Sequence, residues 1–306
     1  MSGITLRARD TRALVLPDEG ACAAELTVGG FDVLARTPWA PSVRPAPAPA
    51  DDEATWVARW RGGWHLCFPT AGASDPDARP IQGFHGVASQ GTWTVEHVDD
   101  TGVGLRWADT AGLSAARHWT VDPGMLSVVT TASNNGRVPR QIIVAEHLIL
   151  GQDVLAQVSE GDGRLEVEAS GTLAELDYGG TPTGRLTAWP GDGWDRVSRR
   201  TPPRVAALQH PSPRVIAVTG PRLRVTVSWE GLSHALLWEE IGASTGSPWK
   251  GAVFALGIEP TSTPHGAGTA HTVGAITLDP GESMTWATRL EVHPVEISTP
   301  TERELR

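Results

Sequence analysis

The feature that most constrains this chain is an alternation of apolar and polar residues with a period of two, broken by turn-forming triplets. Leu223-Arg224-Val225-Thr226-Val227-Ser228-Trp229 alternates strictly, and Arg164-Leu165-Glu166-Val167-Glu168-Ala169 does the same. Side chains along a strand point to opposite faces in turn, so this pattern marks strands buried on one face. Arg117–Val121 and Met125–Thr131 flank Asp122-Pro123-Gly124, where proline presets φ and glycine accepts φ > 0. The same device joins Ala275–Leu278 to Ser283–Ala287 through Asp279-Pro280-Gly281-Glu282, and Gly220-Pro221 turns Arg214–Val218 into Leu223–Trp229. The 34 Gly and 24 Pro are spread along the chain, which favours many short elements over long helices. An all-β antiparallel sandwich or barrel is expected. Ser233–Ile241 reads equally as a short helix or a strand.

With 306 residues, the chain is long enough for one large β domain, expected over 1–295 with a polar C-terminal tail at 296–306. Pro41–Asp52, with its Pro-Ala repeats, reads as a surface loop. The net charge of −10 argues against nucleic acid or an anionic membrane as partner. The N-terminus lacks the apolar core of a signal peptide and no run approaches the length of a bilayer span, so a soluble cytoplasmic protein is expected. Cys22 and Cys67 are too few for a disulfide framework and read as buried apolar residues. No His-x-His, His-Glu-x-x-His or Cys-x-x-Cys spacing supports a metal. The absence of a Walker loop or a Gly-x-Gly-x-x-Gly turn argues against a nucleotide cofactor, and no cofactor is expected. His65, His97, His118, His210, His234 and His293 sit among ordinary strand or loop residues and carry no site of their own.

Three segments combine an ionisable residue with apolar or loop surroundings. In Ile81-Gln82-Gly83-Phe84-His85-Gly86-Val87, glycines on both sides allow a bend and a close approach of ligand. In Ile142-Ile143-Val144-Ala145-Glu146-His147-Leu148-Ile149-Leu150, a polar pair interrupts an apolar run and must be satisfied or functional. In Phe254-Ala255-Leu256-Gly257-Ile258-Glu259-Pro260, a carboxylate ends an apolar strand and proline stops further pairing.

Gly-Phe-His-Gly at 83–86, Asn134-Asn135 ahead of the strand bearing His147, and Glu259-Pro260 follow one another in an order that resembles the aldose 1-epimerase family. Arg61-Gly62-Gly63-Trp64 with Phe68-Pro69, and the late Leu278-Asp279-Pro280-Gly281-Glu282 turn, resemble further landmarks of that family. The resemblance implies a galactose-mutarotase-like β-supersandwich. It implies that Glu259 acts as base, His147 as acid and His85 as a stabiliser of developing charge in interconverting the anomers of an aldose. It also points to Arg61, Trp64, Gln82 and Trp238 as sugar-binding residues, with the two indoles as an apolar platform, to a small-molecule sugar as partner, and to a monomer or homodimer. Two positions depart from the family pattern: Ser89 stands where many relatives carry arginine, and Glu146-His147-Leu148-Ile149-Leu150 replaces the usual second motif. Asp192 and Asp195 are candidates for a further sugar-binding aspartate. Alternative readings are a non-catalytic carbohydrate-binding protein, a glycosidase pairing Glu259 with Glu146, and a phosphosugar mutarotase drawing on Arg59, Arg61 and Arg79.

Overall fold

The computed structural model describes residues 3–40, 50–73, 82–161, 163–199, 201–265 and 273–295. The expected hairpins at Asp122-Pro123-Gly124 and Gly220-Pro221 form: Leu113–Asp122 pairs with Met125–Asn134, and Val215–Thr219 with Leu223–Glu230. Arg164–Glu168 is a strand, and the ambiguous His234–Ile241 run is one too. The Asp279-Pro280-Gly281-Glu282 turn forms, with the Glu282 N–H donating to the Asp279 carbonyl, but it closes no hairpin. Ile276–Leu278 pairs with Arg140–Ile142, while Ser283–Pro294 enters a different sheet between Leu223–Glu230 and Met125–Asn134. A turn motif sets local backbone direction, whereas sheet membership depends on which faces must be buried.

Among the described residues the strands form an eleven-stranded antiparallel sheet, a nine-stranded one and a small two-stranded ladder. The two large sheets enclose an apolar core that includes Leu6, Leu26, Trp64, Leu105, Trp119, Leu148, Val225, Trp286 and Leu290. This is the galactose-mutarotase-like sandwich. The proline-rich expectation at Pro41–Asp52 lies mostly outside the described residues, and the 296–306 tail wholly so. No described helix is long and apolar enough to cross a membrane.

One charged cluster sits inside the core. Glu146 projects between the sheets and accepts hydrogen bonds from Arg117 (3.0 and 3.2 Å), Trp64 Nε1 (2.8 Å), Trp286 Nε1 (2.8 Å) and Thr130 Oγ1 (3.3 Å). Both ions are fully buried. Burying a lone carboxylate would be prohibitive, so three neutral donor side chains and the opposite charge of Arg117 are what allow Glu146 to occupy this place.

Candidate active site

Strand parity separates Glu146 from its neighbour. The Ala145–Leu150 strand pairs with Trp64–Cys67 so that Glu146 lies opposite Leu66 and His147 opposite His65. Glu146 and Trp64 therefore share the inter-sheet face, and His147 and His65 share the outer face of the same sheet. On its other side the strand pairs with Phe254–Thr261 in a register, Leu148 opposite Ile258, that brings Glu259 beside His147. His147 Nε2 stands 4.0 Å from Glu259 Oε1. Gly257 makes this approach possible: a Cβ there would fall 2.7 Å from Glu259 Oε1.

His85 reaches the same place from a loop. It has φ 59°, between Gly83 at 69° and Gly86 at 82°. A Cβ on Gly86 would lie 2.0 Å from the Phe68 carbonyl oxygen, so this glycine is obligatory. The His85 carbonyl accepts from Phe68 N–H, and its own N–H donates to Gly72. The Gly72 N–H donates to His85 Nδ1 at 2.9 Å. A neutral imidazole accepting at Nδ1 carries its proton on Nε2, so His85 is held as a donor. The ring centroids of His85 and His147 are 5.2 Å apart. The three expected catalytic residues thus meet.

They line a cleft of about 140 Å³. Its wall is strongly aromatic, with Trp56, Trp60, Phe84, Tyr178, Trp238 and Trp249. Trp56 comes from a short helix, Glu53–Val57, whose N-cap Asp52 accepts from Thr55 N–H. Its ring lies 4.6 Å from that of His85 and 5.6 Å from that of His147. Trp60 contacts His147, Trp238 and Trp249 edge-on or tilted.

Burial sets the direction in which each group shifts. Burial pushes the Glu259 carboxyl up to about 8. Burial, followed by the neighbouring His65, takes His147 down to about 3. His85 is held well below the usual histidine range by burial, then by His147 and His65. At neutral pH the cleft therefore holds a protonated Glu259 and neutral imidazoles, the reverse of the expected carboxylate and imidazolium.

Of the expected sugar-binding residues, Trp238 lines the cleft and the other three do not. Trp64 is fully buried between the sheets, one residue out of phase with the cleft face. Arg61 donates to Glu19 and to the Ala40 carbonyl. Gln82 is half-buried outside the lining. Asp192 is exposed and pairs with Arg185, and Asp195 sits beside Arg196, so neither reaches the cleft. Ser89 is buried, donating to the Gly86 carbonyl at 2.8 Å. Glu146, facing the core and held by Arg117, is not available as the second carboxylate of a glycosidase. Of the phosphosugar cluster, Arg59 and Arg61 are not in the lining, and Arg79 lies outside the described residues.

Sequence reasoning missed His65, Trp56, Trp60, Trp249, Tyr178 and Glu53. His65 donates or accepts at Nε2 with the Gly62 carbonyl (2.8 Å) and lies 6.4 Å from His147, ring to ring. His65 Nδ1, His147 Nδ1 and Trp60 Nε1 are buried with no hydrogen-bond partner among the described residues. The spacing of Trp56 and Trp60, one helical turn apart, and the single tyrosine of the chain set before Gly179-Gly180 were the available signals. No group of side chains suited to hold a metal ion occurs among the described residues.

The architecture and the outward-facing cleft on its larger sheet define a protein of the galactose-mutarotase-like fold. Solved structures of that fold superpose on almost the whole chain, and many are named aldose 1-epimerases or galactose mutarotase-like proteins. The Slr1438 protein of Synechocystis sp. PCC 6803 matches with a TM-score of 0.71 at 18% identity, covering 96% of each chain. A galactose mutarotase-like protein from Lactobacillus casei matches with a TM-score of 0.69 at 18% identity, covering 95% of this chain and 100% of the other. An aldose epimerase homologue from C. elegans gives 0.66 at 16%, covering 96% and 99%. No protein-family model matches the sequence, and no curated protein matches it.

Proposed function

We propose that this chain is an aldose 1-epimerase that interconverts the α- and β-anomers of a sugar by general acid–base catalysis. The observation that carries this reading is the buried His147–Glu259 contact at 4.0 Å beside His85, within an aromatic cleft. The names borne by structural neighbours support the same class.

Ring opening requires one group to take the anomeric hydroxyl proton and another to deliver a proton to the ring oxygen. His147 and Glu259 hold one proton between them across the neutral range. Burial places it on Glu259. Transfer to His147 gives the carboxylate and imidazolium suited to the forward step, and the polar atoms of a bound sugar favour that charged form. The two groups exchange roles when the ring recloses on the opposite carbonyl face, so the cycle regenerates the starting state. His85, donating from Nε2, stabilises charge at the ring oxygen or a neighbouring hydroxyl. Trp238 and the other indoles supply the flat apolar surface that sugar C–H groups pack against.

The test is relaxation of freshly dissolved α-anomers, followed by polarimetry or NMR, with wild type and Glu259→Gln. Acceleration that is lost in the variant supports the reading. Sugar binding without any acceleration points instead to a non-catalytic carbohydrate-binding protein.

A further inference from the structure

The floor of the cleft changes character at Glu259. Strand register aligns His65 with His147, Glu259 with Leu236, and Leu236 with Ala207. One cross-strand row therefore runs from imidazoles, through the carboxyl, into aliphatic carbon. The adjoining row aligns Gly257 with Trp238 and Trp238 with Val205. Residues two apart on a strand share a face, so Leu236, Trp238 and Val205 stand on the same side as Glu259, and all of them line the cleft.

Beside Glu259 this half of the floor is aliphatic, while the Tyr178 hydroxyl, Gly179, Gly180 and the Glu53 carboxylate stand elsewhere in the cleft lining. Leu236 and Val205 carry no donor or acceptor, and the Trp238 ring packs against Trp60 and Trp249 with centroids 5.9 and 6.1 Å away. In the opposite direction the row ends at His65, which packs under Trp56 with ring centroids 6.0 Å apart. A pyranose with its anomeric carbon and ring oxygen at the trio therefore sets one of its remaining carbons over Leu236, Trp238 and Val205. In a common hexopyranose C2, C3, C4 and C6 each carry a hydroxyl. A hydroxyl pressed against this surface loses water without gaining a partner, at a cost of roughly tenfold in affinity. Charge gives a second restriction. Among the described lining residues there is no arginine or lysine, and the acidic Glu53 is part of the wall.

We infer that the ligand is a neutral deoxyaldose, seated with its deoxygenated carbon on Leu236, Trp238 and Val205. This rests on the cleft being the sugar site proposed above. The test pairs sugars that differ by a single hydroxyl: D-galactose with D-fucose, D-glucose with D-quinovose, and D-glucose with its analogues lacking the C3 or C4 hydroxyl. A hexose phosphate is included for charge. Binding is read from tryptophan fluorescence of the full chain, independently of turnover, and anomer relaxation is read separately by NMR. At least one deoxy sugar is expected to bind about tenfold or more tightly than its parent, and the hexose phosphate weakest. Val205→Thr, which adds a hydroxyl at nearly constant shape, and Leu236→Asn should both narrow that ratio; circular dichroism establishes that each variant is folded. Parents binding as well as every deoxy partner, or the phosphate binding best, overturns the inference. Preferential deoxy sugar binding without anomer relaxation leaves it standing and overturns the epimerase reading. No binding by any sugar overturns both.

Discussion

Glu259 is the residue on which chemistry and stability pull in opposite directions. Glu259→Gln is expected to lower turnover by about 10²–10⁴-fold, the usual range for one acid–base group, as measured by polarimetry. Its effect on stability has the other sign. The unfolded carboxyl ionises near 4.5 and the folded one near 8, so between these values the folded state holds a proton that the unfolded state has released. Wild-type stability therefore falls as pH rises through this window, by about 1.4 kcal/mol per pH unit. The advantage of Glu259→Gln over wild type should grow from pH 4.5 to pH 8 in thermal melts; a constant difference would contradict a buried, protonated carboxyl. In the proposed mechanism the pair works with one shared proton, so kcat/KM should be bell-shaped, falling below about 3 as His147 takes a second proton and above about 8 as Glu259 loses its own. Activity that keeps rising beyond pH 9 would rule this out. Gly257→Ala adds a methyl 2.7 Å from Glu259 Oε1 and 3.1 Å from Ile149 and Trp238 side-chain carbons. The carboxyl must swing away, and turnover should drop by about 10²-fold with the circular dichroism unchanged.

At the scale of elements, the loop bearing His85 and the strands bearing His147 and Glu259 were read with unequal success. The glycines around Phe84-His85 signalled a bend, and the structure gives them positive φ and, at Gly86, a backbone oxygen where a Cβ would sit. Gly86→Ala should therefore cost more than a strained φ alone, about 1–3 kcal/mol or above in urea unfolding, and should lose most activity by displacing His85. The trio was legible because each member interrupts an apolar or glycine-flanked motif. The sugar platform was not. Trp64 stands next to the right strand residue but on the wrong parity, and only pairing register reveals which face a strand residue takes. His65 was passed over for the same reason: adjacent to Trp64 in sequence, it lies on the cleft side of the sheet, beside Trp56. Asp279-Pro280-Gly281 shows a similar limit, since a turn with the same Asp-Pro-Gly sequence as Asp122-Pro123-Gly124 sends its two arms to different sheets.

Across the whole molecule, the Arg117–Glu146 pair ties the two sheets together through the core, with Trp64 and Trp286 completing the carboxylate's shell. Removing one charge leaves the other buried and unpaired. Arg117→Met is accordingly expected to destabilise by about 3–5 kcal/mol in chemical denaturation, and Arg117→Met with Glu146→Leu by less than that single change. A double variant worse than the single would mean that the pair acts through packing alone. The period-two pattern and the dispersed turns determined an antiparallel β architecture without any tertiary knowledge, because burial on one face forces alternation along every strand. Motif order likewise picked out Glu259, His147 and His85 as a set. Tertiary structure alone decided that Glu146 belongs to the core and His147 to the cleft, that Trp56, Trp60, Tyr178 and Trp249 close over them, and that the shared proton rests on Glu259. Each of these depends on which distant residues bring faces together and exclude water, and the free energy of a charge is fixed by that surrounding and not by its neighbours along the chain.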